Sequence, residues 1–262
     1  MTDPRHPLDN PARSALTGPH AHLAERRGRV LRYPADVCPF VALPDDPDAA
    51  DWADAAALAG AGGTVVLAAV DTPTPPDWPE TFAAPCVQLV DERVAAGPDP
   101  EAVLLGPADV PEMLDLVERT RPGPFLPRTA GLGTYLGIRR GGVLVAMAGE
   151  RMRPPGWTEI SAVCTDPAYR GQGLAARLIR AVTAVVRERG DRAFLHAASE
   201  NTGAIRLYET LGFGLRRTTM FRGAQVPDAE TVSWARDASP ARPGRDTGAA
   251  SGLPEGPRER VG

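Results

Sequence analysis

The sequence predicts a mixed α/β (α+β) fold, and two patterns support this prediction. Residues 158–190 read as a strand, a turn and an amphipathic helix: β-branched residues recur up to residue 165, Asp166-Pro167 interrupts the strand, and apolar side chains then return every three or four residues. In addition, the pair Gly141-Gly142 separates two apolar runs, as in a β-hairpin. A chain of 262 residues with 43% hydrophobic residues can bury the core of one large domain or of two small ones.

Composition divides the chain into two tails and two central parts. Residues 1–27 are rich in Pro, His, Arg and Asp, and residues 237–262 are rich in Pro, Gly and Arg. Segments of this composition cannot offset the entropy lost on ordering, so we expect both tails to be disordered. Between them we expect an N-terminal α/β half at residues 28–101 and a second half at residues 102–236, which contains the strand, turn and helix described above.

The N-terminal half has the pattern of a scaffold. Apolar runs predict strands, and an alanine-rich segment predicts a helix at residues 51–59. The expected strands cover residues 30–33, 40–43, 64–70 and 86–90. Residues 71–80 contain four prolines and are expected to form a loop. Because this half shows no acid–base pair and no metal-ligand cluster, we expect it to pack beside the second half as a scaffold.

The second half alternates strands and helices. The expected strands cover residues 102–105, 134–139, 143–152, 158–165, 193–197 and 215–221. Helices are expected to begin near residues 110, 174 and 204, where apolar residues take up helical spacing. Gly190 and Gly212 follow the last two helices, in the position where glycine ends a helix in a left-handed conformation.

The loop before the long helix, Arg170-Gly171-Gln172-Gly173, has the chemistry of an anion site. Two glycines let the backbone approach a ligand, and the helix N-terminus and the arginine add positive charge. A pyrophosphate would fit such a loop, although a strand-to-helix turn that needs glycine for its dihedral angles explains the same residues. Residues 171–176 also match the dinucleotide pattern G-x-G-x-x-A. In that fold the glycines follow the strand almost directly, whereas residues 166–169 intervene here.

Arg170-x-x-Gly173-x-Ala175 resembles the Q/R-x-x-G-x-G/A motif of the GNAT superfamily of acyl-CoA-dependent N-acetyltransferases. The pattern N-x-x-A-x-x-L-Y-x-x-x-G-F at residues 201–213 resembles the second signature of this family. Four segments are most similar to its FR47-like branch: PGPF (122–125), EISAVCT (159–165), RGQG (170–173) and LYETLGF (207–213). The resemblance covers about residues 102–222. It implies a mixed, mostly antiparallel sheet flanked by helices, with a degenerate α/β half before it. It also implies that an amine attacks acetyl-CoA directly in a ternary complex, without a metal.

The resemblance assigns acetyl-CoA binding to the strand, the glycine loop and the residue before the next helix. The implied residues are Val163, Cys164, Thr165, Arg170, Gly171, Gln172, Gly173, Leu174, Ala175 and Asn201. On the strand the main chain would hold the pantetheine arm, so the identity of those side chains carries little information. Asn201 either binds this arm or caps the following helix.

Two residues are implied as catalytic. Glu159 lies eleven residues before Arg170, where some members of the family carry a general base, and a glutamate paired with an arginine is the alternative. Tyr208 is implied as the acid that protonates the leaving thiolate, and core packing is the alternative because it lies on an apolar helix face. His196, on the strand before this helix, is either a second base or a packed histidine.

Charge and cysteine content bear on partners and compartment. The net charge of −4 gives no reason to expect nucleic acid or an anionic membrane as a partner. Cys38, Cys86 and Cys164 form no metal-type or redox pair, and no segment resembles a transmembrane helix or a signal peptide, so we expect a cytoplasmic protein with reduced thiols. The expected acceptor is a small-molecule or peptide amine, and the expected state a monomer or homodimer. The alternatives are a non-catalytic acyl-CoA-binding or regulatory module and a protein-binding scaffold.

Overall fold

The computed structural model describes residues 6–227, and this segment contains eleven β-strands and five α-helices. The strands are β1 (Glu25–Arg27), β2 (Val30–Arg32), β3 (Phe40–Ala42), β4 (Thr64–Leu67), β5 (Glu80–Asp91), β6 (Val103–Leu104), β7 (Tyr135–Arg140), β8 (Val143–Glu150), β9 (Trp157–Thr165), β10 (Arg192–Ala198) and β11 (Phe213–Gln225). The helices are α1 (Pro11–Leu16), α2 (Ala49–Ala59), α3 (Val110–Thr120), α4 (Leu174–Glu188) and α5 (Thr202–Leu211). The three helices of the second half begin within two residues of the predicted positions.

The eleven strands of the described segment form one sheet in the order β1-β2-β3-β4-β11-β5-β10-β9-β8-β7-β6. Neighbouring strands are antiparallel except for β3 with β4 and β9 with β10, which are parallel. Helices α3 and α4 pack against β8 and β9, and α5 packs against β11. The predicted mixed, mostly antiparallel sheet flanked by helices is therefore confirmed.

The core of the second half forms between α4 and the sheet. Leu178, Val182 and Val186 on α4 are fully buried, together with Val145 of β8 and Leu195 of β10. Burial of a Val or Leu side chain contributes about 1.5–3 kcal/mol, so the apolar stripe at helical spacing attaches this helix to the sheet. The start of α4 is thereby held at the end of β9, where the glycine loop leads into it.

Strand β5 comes from the N-terminal half, yet it lies in the middle of the sheet. It pairs on one side with β10, where Leu89 lies opposite Leu195, and on the other side with β11, where Cys86 lies opposite Thr219. The two halves expected from composition therefore share one sheet, and the N-terminal half contributes a central strand instead of packing beside a finished domain.

The expectation of a disordered N-terminal tail is wrong for residues 6–27. Leu8, Ala12 and Leu16 are almost completely buried in a core that also contains Tyr33 and Phe40. Composition did not show this because the few apolar residues of the segment are concentrated on one side of a short helical stretch, α1 and the turn before it. The predicted C-terminal tail, residues 237–262, lies outside the described residues.

We expect Leu8→Ala to lower the free energy of unfolding by about 2–5 kcal/mol, since Leu8 is 0% exposed and its removal leaves a cavity. Urea denaturation measures this change. Leu104→Ala is the matched control, because the same side chain is 71% exposed there and its loss should change stability by less than about 0.5 kcal/mol. Equal stability of the two variants would show that the N-terminal segment does not contribute to the folded core in solution.

Candidate active site

The glycine loop between β9 and α4 has the backbone geometry of an anion cradle. Gly171 and Gly173 take positive φ angles of 78° and 73°, and Gly173 is the N-cap of α4. A Cβ added at either glycine would meet no atom within 4 Å, so the space beside the loop is open. The N–H groups of the first helical turn have no intrahelical acceptors and carry partial positive charge, and Arg170 adds a full charge beside them. The loop can therefore hold a phosphate or pyrophosphate group.

Strands β9 and β10 are paired at one end and separate at the other. Their parallel register runs from Trp157 to Glu159 on β9 and does not extend further. Beyond it, the register between β8 and β9 shifts by one residue, and Ala162 within this bulge has a φ of 51°, which is rare for a residue other than glycine. The backbone groups on that edge of β9 consequently face a gap rather than a neighbouring strand.

Two cavities meet at this gap. The larger, of about 840 Å³, extends from the glycine loop along β9 to α5, and the smaller, of about 270 Å³, lies on the side of β5 and β11. Residues that line both cavities mark their junction: Pro122, Gly123, Val163, His196, Ala197, Ala198 and Tyr208. A long ligand in the larger cavity could therefore reach a small ligand in the other.

Tyr208 lies at the junction, on the buried side of α5. Its side chain packs at 6.3 Å from Phe213 between ring centroids, and 8% of the residue is exposed. Its hydroxyl makes no hydrogen bond to any described residue, and the residue lines both cavities. Burial raises the pKa of Tyr208 to about 12, so this side chain is protonated at neutral pH.

Two further polar side chains line the larger cavity. Asn201 caps α5, because its Oδ1 accepts from the backbone N–H of Ala204 at 3.1 Å, and its amide nitrogen is left without a partner among the described residues. Thr165 has a buried Oγ1 without any hydrogen bond in the described segment. Buried polar atoms are normally satisfied, so this hydroxyl indicates a ligand or water in the cavity.

Glu159 lines neither cavity. It is 0% exposed and accepts two hydrogen bonds from Arg151, Nε to Oε2 at 2.8 Å and Nη2 to Oε1 at 2.7 Å. Burial alone would raise the pKa of this carboxyl, but Arg151, with a contribution from His196, outweighs burial and lowers the pKa to about 2. Glu159 is therefore an ionised partner in a buried ion pair at neutral pH.

His196 continues this polar network towards the N-terminal segment. Its Nδ1 lies 2.7 Å from Oε1 of Glu159, and its Nε2 lies 3.0 Å from the amide nitrogen of Gln88. The amide orientation is fixed, because Oε1 of Gln88 accepts from Arg216 while its nitrogen also donates to the carbonyl of Leu8. An amide nitrogen donates, so Nε2 accepts and Nδ1–H donates to the carboxylate. Both ring nitrogens are thus occupied.

The sequence profile described as FR47-like protein matches residues 135–222. A crystal structure of a GNAT-family protein from Novosphingobium aromaticivorans superposes with a TM-score of 0.77 and 41% sequence identity, over 84% of this chain and 98% of that one. The chain belongs to the GNAT family of acetyltransferases. This agrees with the expected family and its FR47-like branch.

Sequence relatives of the acetyltransferase match shorter segments. The N-alpha-acetyltransferase RimI of Mycobacterium tuberculosis is 37% identical over 109 residues, which are 39% of this chain and 65% of that protein. A mycothiol acetyltransferase from Thermobispora bispora is 46% identical over 56 residues, 21% of this chain and 19% of that protein. The chain thus spans less than two thirds of the length of these relatives.

Most of the predicted binding residues lie together in this GNAT enzyme. The larger cavity is lined by Val163, Cys164, Thr165, Arg170, Gly171, Gly173, Leu174, Ala175 and Asn201, together with Tyr208. Gln172 lies in the same loop without lining the cavity, and Glu159 is buried behind it. Within residues 6–227, no three His, Cys, Asp or Glu side chains are grouped as metal ligands, and no helix has the length and hydrophobicity that a membrane crossing requires.

Sequence reasoning missed the walls of the smaller cavity. Several come from the half that was expected to be a scaffold, among them Phe40, Phe82 and Cys86. These apolar residues look like ordinary core in the sequence, so no signal distinguished them. Arg151 also lines this cavity, and it does not pair with the adjacent Glu150. In the structure Glu150 bonds to Arg189 instead.

We expect Glu159→Gln to destabilise the protein by about 3–5 kcal/mol at neutral pH, because it leaves Arg151 buried without a counter-charge. The carboxyl has a pKa of about 2 in the folded state, against an ordinary value of 4.5. Its stabilisation is therefore complete above about pH 4.5 and is lost as the pH falls towards 2, by about 3 kcal/mol in total.

Urea denaturation between pH 2 and 7 measures the stability of both proteins. The free energy of unfolding of the variant should not show the fall between about pH 4.5 and 2 that Glu159 causes in the wild type. Glu112→Gln is the control: Glu112 pairs with Arg139 but its side chain is 50% exposed, so the expected change is below about 1 kcal/mol. A Glu159→Gln protein as stable as the wild type at neutral pH would rule out a structural ion pair.

Proposed function

We propose that this protein is an N-acetyltransferase that binds acetyl-CoA in the larger cavity and transfers the acetyl group to an amine held in the smaller one. The observation that carries this proposal is the continuity of the two cavities at the gap between β9 and β10, with the glycine loop at the far end of the larger one. The names of the RimI and mycothiol relatives describe acetyl transfer as well, the first of them to an α-amino nitrogen.

The residues of the larger cavity fit CoA by their chemistry. The N–H groups at Gly171 and Gly173, the start of α4 and Arg170 would bind the pyrophosphate. The unpaired edge of β9 at Val163 and Thr165 would hydrogen-bond the pantetheine arm in the way a neighbouring strand would, and the orphaned Thr165 hydroxyl would gain a partner.

In the proposed step the amine nitrogen forms a bond to the thioester carbonyl carbon and the carbon–sulfur bond breaks. Backbone N–H groups on the open edge of β9 would stabilise the oxyanion that forms in between. Tyr208 would give its proton to the departing thiolate and recover one from water. With a pKa of about 12 against about 8.5 for a thiol in water, this transfer is uphill by about 5 kcal/mol. The same burial also raises the pKa of the thiol, which narrows the difference.

The geometry does not support Glu159 as a direct base. The guanidinium of Arg151 holds the pKa of this carboxyl below its ordinary value of 4.5, far below that of an alkylammonium near 10.4, so accepting that proton is strongly unfavourable. We propose that Glu159 is a positioning residue, which fixes Arg151 and orients the ring of His196. The proton of the amine would leave through water.

Gly173→Val should weaken acetyl-CoA binding at least tenfold, because its side chain would project into the open space beside the loop. Isothermal calorimetry on the full chain measures the affinity. Gly141→Val is the matched control: this glycine also has a positive φ, 56°, and open space around it, but it lines neither cavity. Both variants carry similar backbone strain, so equal loss of binding, or none, would contradict the pyrophosphate assignment. Binding without turnover on any amine would instead indicate a non-catalytic acyl-CoA-binding module.

Tyr208→Phe should lower kcat at least tenfold while acetyl-CoA affinity and Tm stay close to wild type, because the ring remains and the proton donor is lost. Release of CoA thiol in the presence of an amine measures the rate. Tyr135→Phe is the control, since the Tyr135 hydroxyl is buried without a hydrogen bond in the described segment and lines neither cavity. A folded Tyr208→Phe enzyme with wild-type kcat would assign the thiolate proton to water.

A further inference from the structure

The smaller cavity is lined mainly by apolar side chains. Aromatic rings form much of the wall, at Phe40, Phe82, Phe221 and Tyr208. Phe82 is 41% exposed, so this part of the wall reaches the protein surface. A volume of about 270 Å³ suits a small apolar group such as one side chain. The walls therefore favour an acceptor whose body is apolar.

Arg151 is the one charged side chain among the described residues that line this cavity. Its Nε and Nη2 donate to Glu159, whereas Nη1 makes no hydrogen bond to any described residue. No aspartate or glutamate lines the cavity. A polycationic acceptor would thus find no counter-charge, while an oxygen acceptor on the ligand would satisfy the remaining N–H groups of Arg151.

None of the titratable side chains that line the cavity offers a free basic lone pair. These side chains are Arg151, His196, Tyr208 and Cys86. His196 has both nitrogens occupied, and burial keeps the hydroxyl of Tyr208 and the thiol of Cys86 protonated, with a pKa of about 12 for each. The amine must therefore arrive neutral. At pH 7.5 the α-amino group beside an amide carbonyl is neutral in roughly a quarter of the molecules, whereas an alkylamine is neutral in roughly one molecule in a thousand.

We infer that the acceptor is an α-amino carbonyl compound with an apolar side chain, whose carbonyl oxygen accepts a hydrogen bond from Nη1 of Arg151 while the aromatic walls hold the side chain. This inference rests on the proposed function and names the substrate class of that site. The neutral α-amine forms the new carbon–nitrogen bond, the thioester carbon–sulfur bond breaks, the amine proton passes to water and the thiolate takes a proton from Tyr208. The carbonyl could belong to an amide, as in a peptide N-terminus, or to a free carboxylate.

A panel of four amines tests the class on the full chain: phenylalaninamide, phenylalanine, phenethylamine and spermidine. We expect kcat/KM for phenylalaninamide to exceed that for phenethylamine at least tenfold, and spermidine to be the poorest acceptor. The phenylalanine arm distinguishes a carboxylate from an amide as the source of the oxygen. A preference for phenethylamine or spermidine over both carbonyl compounds, or turnover of none of the four, would overturn the inference.

Phenylalaninamide could be preferred because its carbonyl bonds to Arg151 or because its amine has the lower pKa. The double variant Arg151→Gln/Glu159→Gln removes only the first of these causes. Both partners are replaced together because either charge alone would be left buried and unpaired. The ratio of kcat/KM for phenylalaninamide to that for phenethylamine should fall at least fivefold. This ratio is measured within one protein, so a general loss of stability does not move it. An unchanged ratio in a folded double variant would refute the role of Arg151.

Phe82→Ala tests the apolar wall without touching the buried charges. It should raise KM for phenylalaninamide about tenfold and leave KM for glycinamide unchanged, because glycinamide has no side chain to bind. Leu215→Ala, an exposed apolar residue that lines neither cavity, is the control and should change neither value. Equal KM changes for the two amides would contradict the inference. Loss of acetyl-CoA binding in calorimetry would instead refute the proposed function, so the two failures are distinguishable.

Discussion

The salt-bridged Glu159 holds the sheet at the point where β9 and β10 separate. It is the last residue of β9 in register with β10, and its side chain bonds to His196, two residues beyond its partner Phe194 on β10. From this point the backbone edges of the two strands are no longer neighbours, and the cavities occupy the space between them. Buried backbone N–H and C=O groups without partners are costly, so two strands would tend to go on pairing instead of separating. A contact that fixes where the pairing stops is therefore needed if the gap is to keep one shape. The side-chain bond between Glu159 and His196 supplies it.

A buried charge pair in this position is tolerated because the carboxylate of Glu159 is hydrogen-bonded both by Arg151 and by His196, which come from different parts of the sheet. Arg151 follows β8 and also lies over the ring of Phe40, 4.9 Å from its centroid. The network continues through Gln88 of β5 to Arg216 on β11 and to the backbone of Leu8. Removing one hydrogen bond of this network leaves a buried charge or polar group without a partner. Such an unpaired group destabilises the fold by more than one hydrogen bond stabilises it. The N-terminal segment is therefore part of the support of the gap, even though it contributes no side chain to either cavity.

The fold was predictable where local patterns act alone and unpredictable where tertiary contacts decide. Helix α4 and the hairpin of β7 and β8 follow from helical spacing and from a glycine pair, both local signals. The glycine loop was predictable because its dihedral angles and its proposed ligand demand the same residue. The ordered segment around Leu8 was not, because its few apolar residues become significant only when the central strand β5 and its neighbours are in place. The central position of β5 is likewise a long-range fact, since its partners lie more than a hundred residues later in the chain.

At the candidate site too, the sequence indicates which residues are present, but their tertiary surroundings decide their chemistry. These surroundings determine which groups can act as acid and base in the proposed reaction. Sequence position suggests that Glu159 takes a proton, but whether a carboxylate is basic depends on what surrounds it, and here Arg151 removes that capacity. In the proposed mechanism Tyr208 provides the acid, and no side chain of the protein has to act as the base because the amine arrives neutral. A mechanism of this kind needs no tuned general base, because the proposed acceptor is already partly neutral at physiological pH. The proposed acceptor also fits the smaller cavity, because a neutral amine with an apolar body needs no counter-charge there and none of the described lining residues is a carboxylate.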